Sequence, residues 1–414
     1  MYTLHNELRH YAWGSKTAMA ELFGRSPSGK PEAELWIGAH PDSPSLAELA
    51  GTPTALDELI AARPEALLGA PVANAYGRLP FLMKVLAAGA PLSLQVHPTL
   101  EQATSGFAAE NAAGVTPDAP HRNYRDNNHK PEMLYALTDF TALCGFRPLA
   151  DSARLLLQLA ASVQEQGAAA ELTELADILQ SDAHENSLYT VFDRMLHSDK
   201  DCRGAYDAAL GSLASNTETD PALATAASLS NAYPHDAGSV LSLLLNLVTL
   251  QRGEAIWLPA GNVHAYLLGL GIEVMSSSDN VLRGGLTKKY VDTSELMKTV
   301  NFTPLDVPRI HVTRAPTGEE LLQPPCSEFQ LQKITFPGGL THVPLAQNGP
   351  VLVLVVSGTL TLSSSEKKLS LTQGESAFVA AYDAPVTLTP HHEPGSDTLL
   401  AFGVTIPHQE AGHP

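Results

Sequence analysis

The sequence predicts a mainly β protein, built of jelly-roll barrels with an inserted α-helical domain. Three observations predict it. Short apolar runs at residues 35–38, 92–97, 255–258 and 351–356 are punctuated by Pro, Gly and Asp, the texture of an antiparallel sandwich or barrel. Proline is absent between Pro148 and Pro221, and inside that window Leu172, Leu175, Ala176 and Leu179 fall at helical spacing. Leu156, Leu159, Ala160 and Val163 repeat the pattern one segment earlier. No stretch alternates strand and helix as a parallel βαβ fold requires. The expected division is 1–150 plus 251–309 as the site-bearing barrel, 151–250 as the helical insert, and 310–414 as a further barrel. The insert is expected to end in the segment 239–250.

Composition narrows the function. A chain of 414 residues accommodates two to three domains of about 150 residues each. Net charge is −19, from 25 Lys+Arg against 44 Asp+Glu, which argues against a nonspecific nucleic-acid or anionic-membrane role. Cys144, Cys202 and Cys326 are too few for a disulfide framework, and none sits in a Cys-x-x-Cys pair. No apolar stretch reaches membrane-spanning length, and the first residues lack a signal-peptide core. A cytoplasmic, soluble protein is expected. Oligomeric state has no signal here, and a monomer is compatible with everything read.

Gly24 to Lys30 matches the phosphate-loop spacing, but Pro31 stands where a hydroxyl should bind Mg²⁺. A surface turn is the better reading. The metal-ligand pattern is stronger. Gln95 and His97 lie two apart on an expected strand, so both side chains share a face. The run His129-Lys130-Pro131-Glu132 ends in a carboxylate. Gly253 to His264 then matches the second cupin motif, G-x5-P-x-G-x2-H, at every specified position. That motif is a strand, a tight Pro/Gly turn and a returning strand that aims His264 into a barrel. The Asn expected four residues later is Leu268 here.

Leu-Gln-Val-His-Pro, His-Lys-Pro-Glu-Met, Gly-Asn-Val-His-Ala-Tyr and Ser-Asp-Asn-Val-Leu-Arg-Gly-Gly-Leu-Thr resemble, in order, the signature blocks of type I mannose-6-phosphate isomerase, in the cupin superfamily. Tyr11-Ala-Trp13-Gly-Ser and Glu34-Leu-Trp36-Ile-Gly resemble its opening segment. The resemblance implies one Zn²⁺ per chain, held by Gln95, His97, Glu132 and His264. It implies a catalytic role for Arg283 and a place in the site for Lys130. Ser93 and Lys289 are implied near the substrate phosphate, and Lys84 as another basic residue in the pocket. The family usually has Pro where this chain has Lys288, which leaves two lysines as candidates for one contact.

Aldose–ketose isomerisation moves a proton between neighbouring carbons through an enediolate. A divalent ion offsets the developing charge, and a fork-shaped arginine suits either the oxyanion or the phosphate. The base is open among Lys130, His129, Asp279 and metal-bound hydroxide. Blander readings stand beside these: Lys84 as an edge-strand charge, His129 as a turn cap, Asp279 as the residue that orients Arg283. The flanking Gly284 and Gly285 read as letting the backbone approach substrate. The expected partner is a small sugar phosphate. A metal-dependent cupin oxygenase and a non-catalytic sugar-phosphate sensor are the alternatives. In 310–414, Ala380, Tyr382 and Pro385 occupy the Pro, Gly and His slots of the motif frame starting at Gly374. A degenerate barrel that holds no metal is expected there.

Overall fold

The computed structural model describes residues 1–49, 51–181, 186–214, 220–336, 340–391 and 399–407. Its sheets are antiparallel, with eleven, nine and four strands. Strand and helix are nearly equal, 31% and 30%, so the expectation of a mainly β chain needs correction. The excess helix is in short pieces, Leu56–Ala62, Pro64–Leu68 and Ala70–Tyr76, besides Leu100–Ala112. Segments of five to seven residues are too short to show a 3.6-residue period.

One strand organises the site. His264–Ser276 pairs at its start with Leu94–Val96 and Phe140–Phe146, and farther along with Phe81–Ala88 and Glu132–Ala136. Glu132–Ala136 is buried throughout, but its two faces have different destinations. Met133 and Tyr135 pack outward against Leu352, Phe378 and Phe402 of the nine-stranded sheet. Leu134 and Ala136 turn inward to Phe140, Cys144 and Tyr266. Period two therefore sends Glu132 inward as well. The same alternation in Phe81–Ala88 puts Phe81, Met83 and Val85 outward and Lys84 inward. Lys84 lies on an inner strand, with Trp36 opposite on one side and Glu273 on the other, so the edge-strand reading is corrected.

The insert contains the expected helices. Gln166–Gln180 buries Leu172, Leu175, Ala176 and Leu179, and Leu149–Ala160 buries Leu155, Leu156 and Leu159. Val163 falls beyond the second helix. Their core continues into Leu94, Val96 and Leu282 of the eleven-stranded sheet, and into Leu286 just after it. Segment 239–250 is half insert: Leu245–Leu250 is a strand paired with Phe140–Phe146. Tyr2–His5, Leu46–Leu49 and Thr52–Ala55 join the nine-stranded sheet otherwise built from residues 313–405. No helix among the described residues is long and apolar enough to cross a membrane.

Candidate functional site

Gln95 and His264 are directly opposed on neighbouring strands. Glu132 lies opposite Met275 and Leu258, and His97 follows the end of its strand. Four side chains meet as a result. His97 Nε2 is 3.3 Å from Glu132 Oε1, and His264 Nε2 is 3.3 Å from Glu132 Oε2. Gln95 Nε2 stands 3.2 Å from His264 Nε2; turning that amide presents Oε1 in the same place.

Both imidazoles are aimed from behind. His97 Nδ1 meets the Asn280 carbonyl at 2.7 Å and His264 Nδ1 the Asn262 carbonyl at 2.9 Å. Such bonds fix the tautomer and leave Nε2 as the free donor, the arrangement behind most histidine ligands. His97 Nε2 and Glu132 Oε2 are fully buried without a hydrogen-bond partner, a costly state for polar atoms. The donor atoms of His97, Glu132 and His264 lie within 4.8 Å of one another. Burial pushes the His97 imidazole down to about 4, which keeps it neutral and able to ligate at physiological pH. Burial alone would push the Glu132 carboxyl up, yet Lys130 and His97 hold it well below the usual carboxylate range. Two imidazoles, a carboxylate and an amide oxygen are a donor set that suits zinc.

Around this centre the expected residues divide. Lys130 Nζ is 3.0 Å from Glu132 Oε1 and is buried. Lys84 lies between Glu273 at 3.2 Å and Glu34 at 3.5 Å, with its ammonium 4.8 Å from the Trp36 ring centroid. Burial opposes its charge, but those carboxylates raise its pKa above the ordinary lysine value. Its ammonium is thus already engaged within the protein. His129 places Nε2 on Glu328 of the C-terminal region. Asp279 faces His40 at 3.4 Å, and no hydrogen bond or ion pair joins its carboxylate to Arg283 among the described residues. His40 in turn packs edge-on against Trp36, which explains why the opening segment belongs to the site.

Arg283 lies opposite Gln95 on the next strand. No hydrogen bond or ion pair holds its guanidinium among the described residues. Burial lowers its pKa, and the neighbouring Arg125 lowers it further. Lys289 is lowered by burial, then by Arg283 and Arg125. Three cations therefore gather, and none of them makes an ion pair among the described residues. Ser93 precedes Leu94, whose partner is Gly285, at the same end of the site. Arg125 escaped the sequence reading. Its backbone N–H donates to Asn280 Oδ1 at 2.7 Å, and Asn123 on the same loop donates to Asp292 at 2.9 Å. Those bonds, with Tyr124 OH on Glu295 and Asp279 N on Asp126 Oδ2, bring its charge close to Arg283; in sequence it looks like a solvated charge.

Mannose-6-phosphate isomerase from Escherichia coli is 40% identical over 394 residues, 94% of this chain and 97% of that protein. The chain belongs to the type I mannose-6-phosphate isomerase family. The description "phosphomannose isomerase type I, catalytic domain" matches residues 1–149. Mannose-6-phosphate isomerase of Rattus norvegicus is 34% identical, over 92% of this chain and 93% of its own. A crystal structure of a point mutant of phosphomannose isomerase from Salmonella typhimurium superposes with a TM-score of 0.87 at 37% identity. It covers 98% of this chain and 99% of that one. A zinc-bound mannose 6-phosphate isomerase superposes with 0.86 at the same identity and coverage.

Proposed function

We propose that the chain is a zinc-dependent aldose–ketose isomerase that interconverts mannose 6-phosphate and fructose 6-phosphate. The observation that carries this is the buried convergence of His97, Glu132 and His264 beside a cluster of cations that make no ion pair among the described residues. Gln95, His97, Glu132 and His264 would hold one Zn²⁺. Bound there, the ion would supply Lewis-acid polarisation of the vicinal C1/C2 oxygens.

The protein's own groups do the rest. Ser93, Lys289 and Arg125 take the phosphate, and the net charge of −19 matters little because remote acids are screened over about 8 Å. Arg283, set between Gln95 and that cationic end, puts a positive charge where the enediolate develops one of opposite sign. Lys130 Nζ is the atom we assign to move the proton between C1 and C2. His129 is held by Glu328 and Asp279 by His40, and of the three side chains considered for the base Lys130 is the one that adjoins Glu132. Lys84, with Glu34 and Glu273, forms the floor rather than a phosphate contact.

The finer architecture belongs to the same reading. Residues 1–150 plus 251–309 form a cupin-type jelly roll, 151–250 its helical insert, and 310–414 a degenerate second roll with a packing role. A cytoplasmic monomer fits this picture. An iron-dependent oxygenase would leave the cation cluster idle, and a sensor would need no buried base.

The test is direct. Purified protein given mannose 6-phosphate should form fructose 6-phosphate, lose that activity to a chelator, and regain it with Zn²⁺. Binding of the sugar phosphate without turnover by zinc-loaded protein would move the reading to a sensor.

A further inference from the structure

One carboxylate of the helical insert reaches the active-site end of the molecule. Asp236 precedes the short helix Ala237–Leu241 and caps it, accepting from Gly238 N at 2.7 Å. The same Oδ1 accepts from Leu286 N at 2.8 Å, and Oδ2 from Thr287 N at 3.3 Å. Leu286 and Thr287 follow directly on the strand Leu282–Gly285 that carries Arg283, and they lead into Lys288 and Lys289. Thr287 Oγ1 in turn accepts from Lys289 N at 3.1 Å.

The contact is too close to be incidental. A Cβ on Gly285 would stand 2.6 Å from Asp236 Oδ1 and 2.9 Å from Gly238 N. A Cβ on Gly238 would stand 2.8 Å from Leu286 Cγ and 2.9 Å from Leu286 N. Glycine on each side lets the two backbones interlock. Gly285 has φ 145° and Leu286 φ 54°, a turn that ordinary residues avoid. Leu286 keeps it because its side chain is buried in the insert's core and its N–H is taken by Asp236. Gly285 thus serves the docking of the insert, which corrects the expectation that this glycine opens the backbone to substrate. Gly284 faces Leu296 and Leu94.

We propose that Asp236 is a positioning residue: it clamps the Leu286–Thr287 turn, and through it sets Lys288 and Lys289 against Arg283 for the substrate phosphate. The insert is then a working wall of the active site. Asp236 acts through the backbone of that turn and touches no substrate.

This inference rests on the reading of residues 283–289 as the phosphate end, so wild type and Lys289→Ala are measured beside the Asp236 variants. Zinc-loaded Asp236→Ala should show KM for mannose 6-phosphate raised on the order of tenfold, the scale of losing a hydrogen bond to a charged group. The inhibition constant of inorganic phosphate should rise in parallel, with kcat within about threefold and zinc stoichiometry unchanged. Asp236→Asn keeps one acceptor and should fall between; it gives the answer if the alanine variant does not fold. A purely structural role would lower the melting temperature and the active fraction while leaving KM and phosphate inhibition as in wild type, and that result overturns the inference. If Lys289→Ala also leaves both constants unchanged, the phosphate reading fails instead.

Discussion

Arg283→Ala separates two reasons for keeping a partly buried cation. A guanidinium held for stability normally has a carboxylate, and breaking such a buried pair costs about 3–5 kcal/mol. Arg283 has no acid partner among the described residues, and the charges near it are Arg125 and Lys289, both positive. Removing it relieves repulsion and leaves no orphaned acid. Folding stability should therefore stay within about 0.5 kcal/mol of wild type or improve. Activity should move the other way. If Arg283 meets charge that exists only in the transition state, kcat should fall by roughly 10²–10³, the scale of losing one oxyanion donor, or about 2.7–4 kcal/mol. KM should change little. The assay is steady-state formation of fructose 6-phosphate with zinc-loaded protein, paired with denaturant unfolding of the same preparation. A stability loss above about 2 kcal/mol would refute the account of an unpartnered cation. A rise in KM with kcat preserved would place Arg283 on the phosphate and leave the carbon-centred charge to the metal and Lys130.

Lys289→Ala and Arg125→Ala should each raise KM several-fold at nearly constant kcat and normal metal content; a kcat-dominated loss in either removes it from the phosphate grip. His264→Ala should abolish stoichiometric zinc in metal analysis, because it removes one of the converging donors; retention of full metal and activity would dismiss the ligand assignment. Glu328 gives a pH test. Burial opposes its ionisation, but His129 holds the carboxyl below the ordinary glutamate value. The stability it contributes is fully present above the unfolded value of about 4.3 and is lost as pH falls through the folded one. Glu328→Gln should therefore flatten the fall of melting temperature below about pH 5; an acid limb identical to wild type would show that the pair contributes nothing.

What was legible in the sequence was what depends on local period. Gln95 and His97 were expected to share a face because a strand alternates; the strand ends at Val96, and both side chains nonetheless approach His264. The insert helices were legible because Leu172, Leu175, Ala176 and Leu179 repeat at 3.6 residues, and those side chains are the buried ones. The short helices between residues 56 and 76 carry too few turns to show such a period. The strand His264–Ser276 is buried over most of its length, so it shows no polar alternation by which its extent could be read. Partnerships made through space left no trace at all. Nothing near His129 in the chain points to Glu328, and nothing near Lys84 points to both Glu34 and Glu273.

Gly284 and Gly285 mark the boundary between the two kinds of information. A glycine pair beside a catalytic-type arginine says that something must come close to this backbone, and that much is physical and local. What comes close is decided by a segment some fifty positions earlier, where Asp236 and Gly238 fill the space that a Cβ on Gly285 would need. Sequence chemistry states the demand for closeness; only the fold states who meets it. The same logic applies to the three unpaired cations. Each charge is plain in the sequence, whereas the lack of an ion pair to Arg125, Arg283 or Lys289 among the described residues is a property of the assembled surface. That absence is the stronger pointer to an anionic ligand, since charges of one sign gathered at partly buried positions repel one another unless a partner arrives.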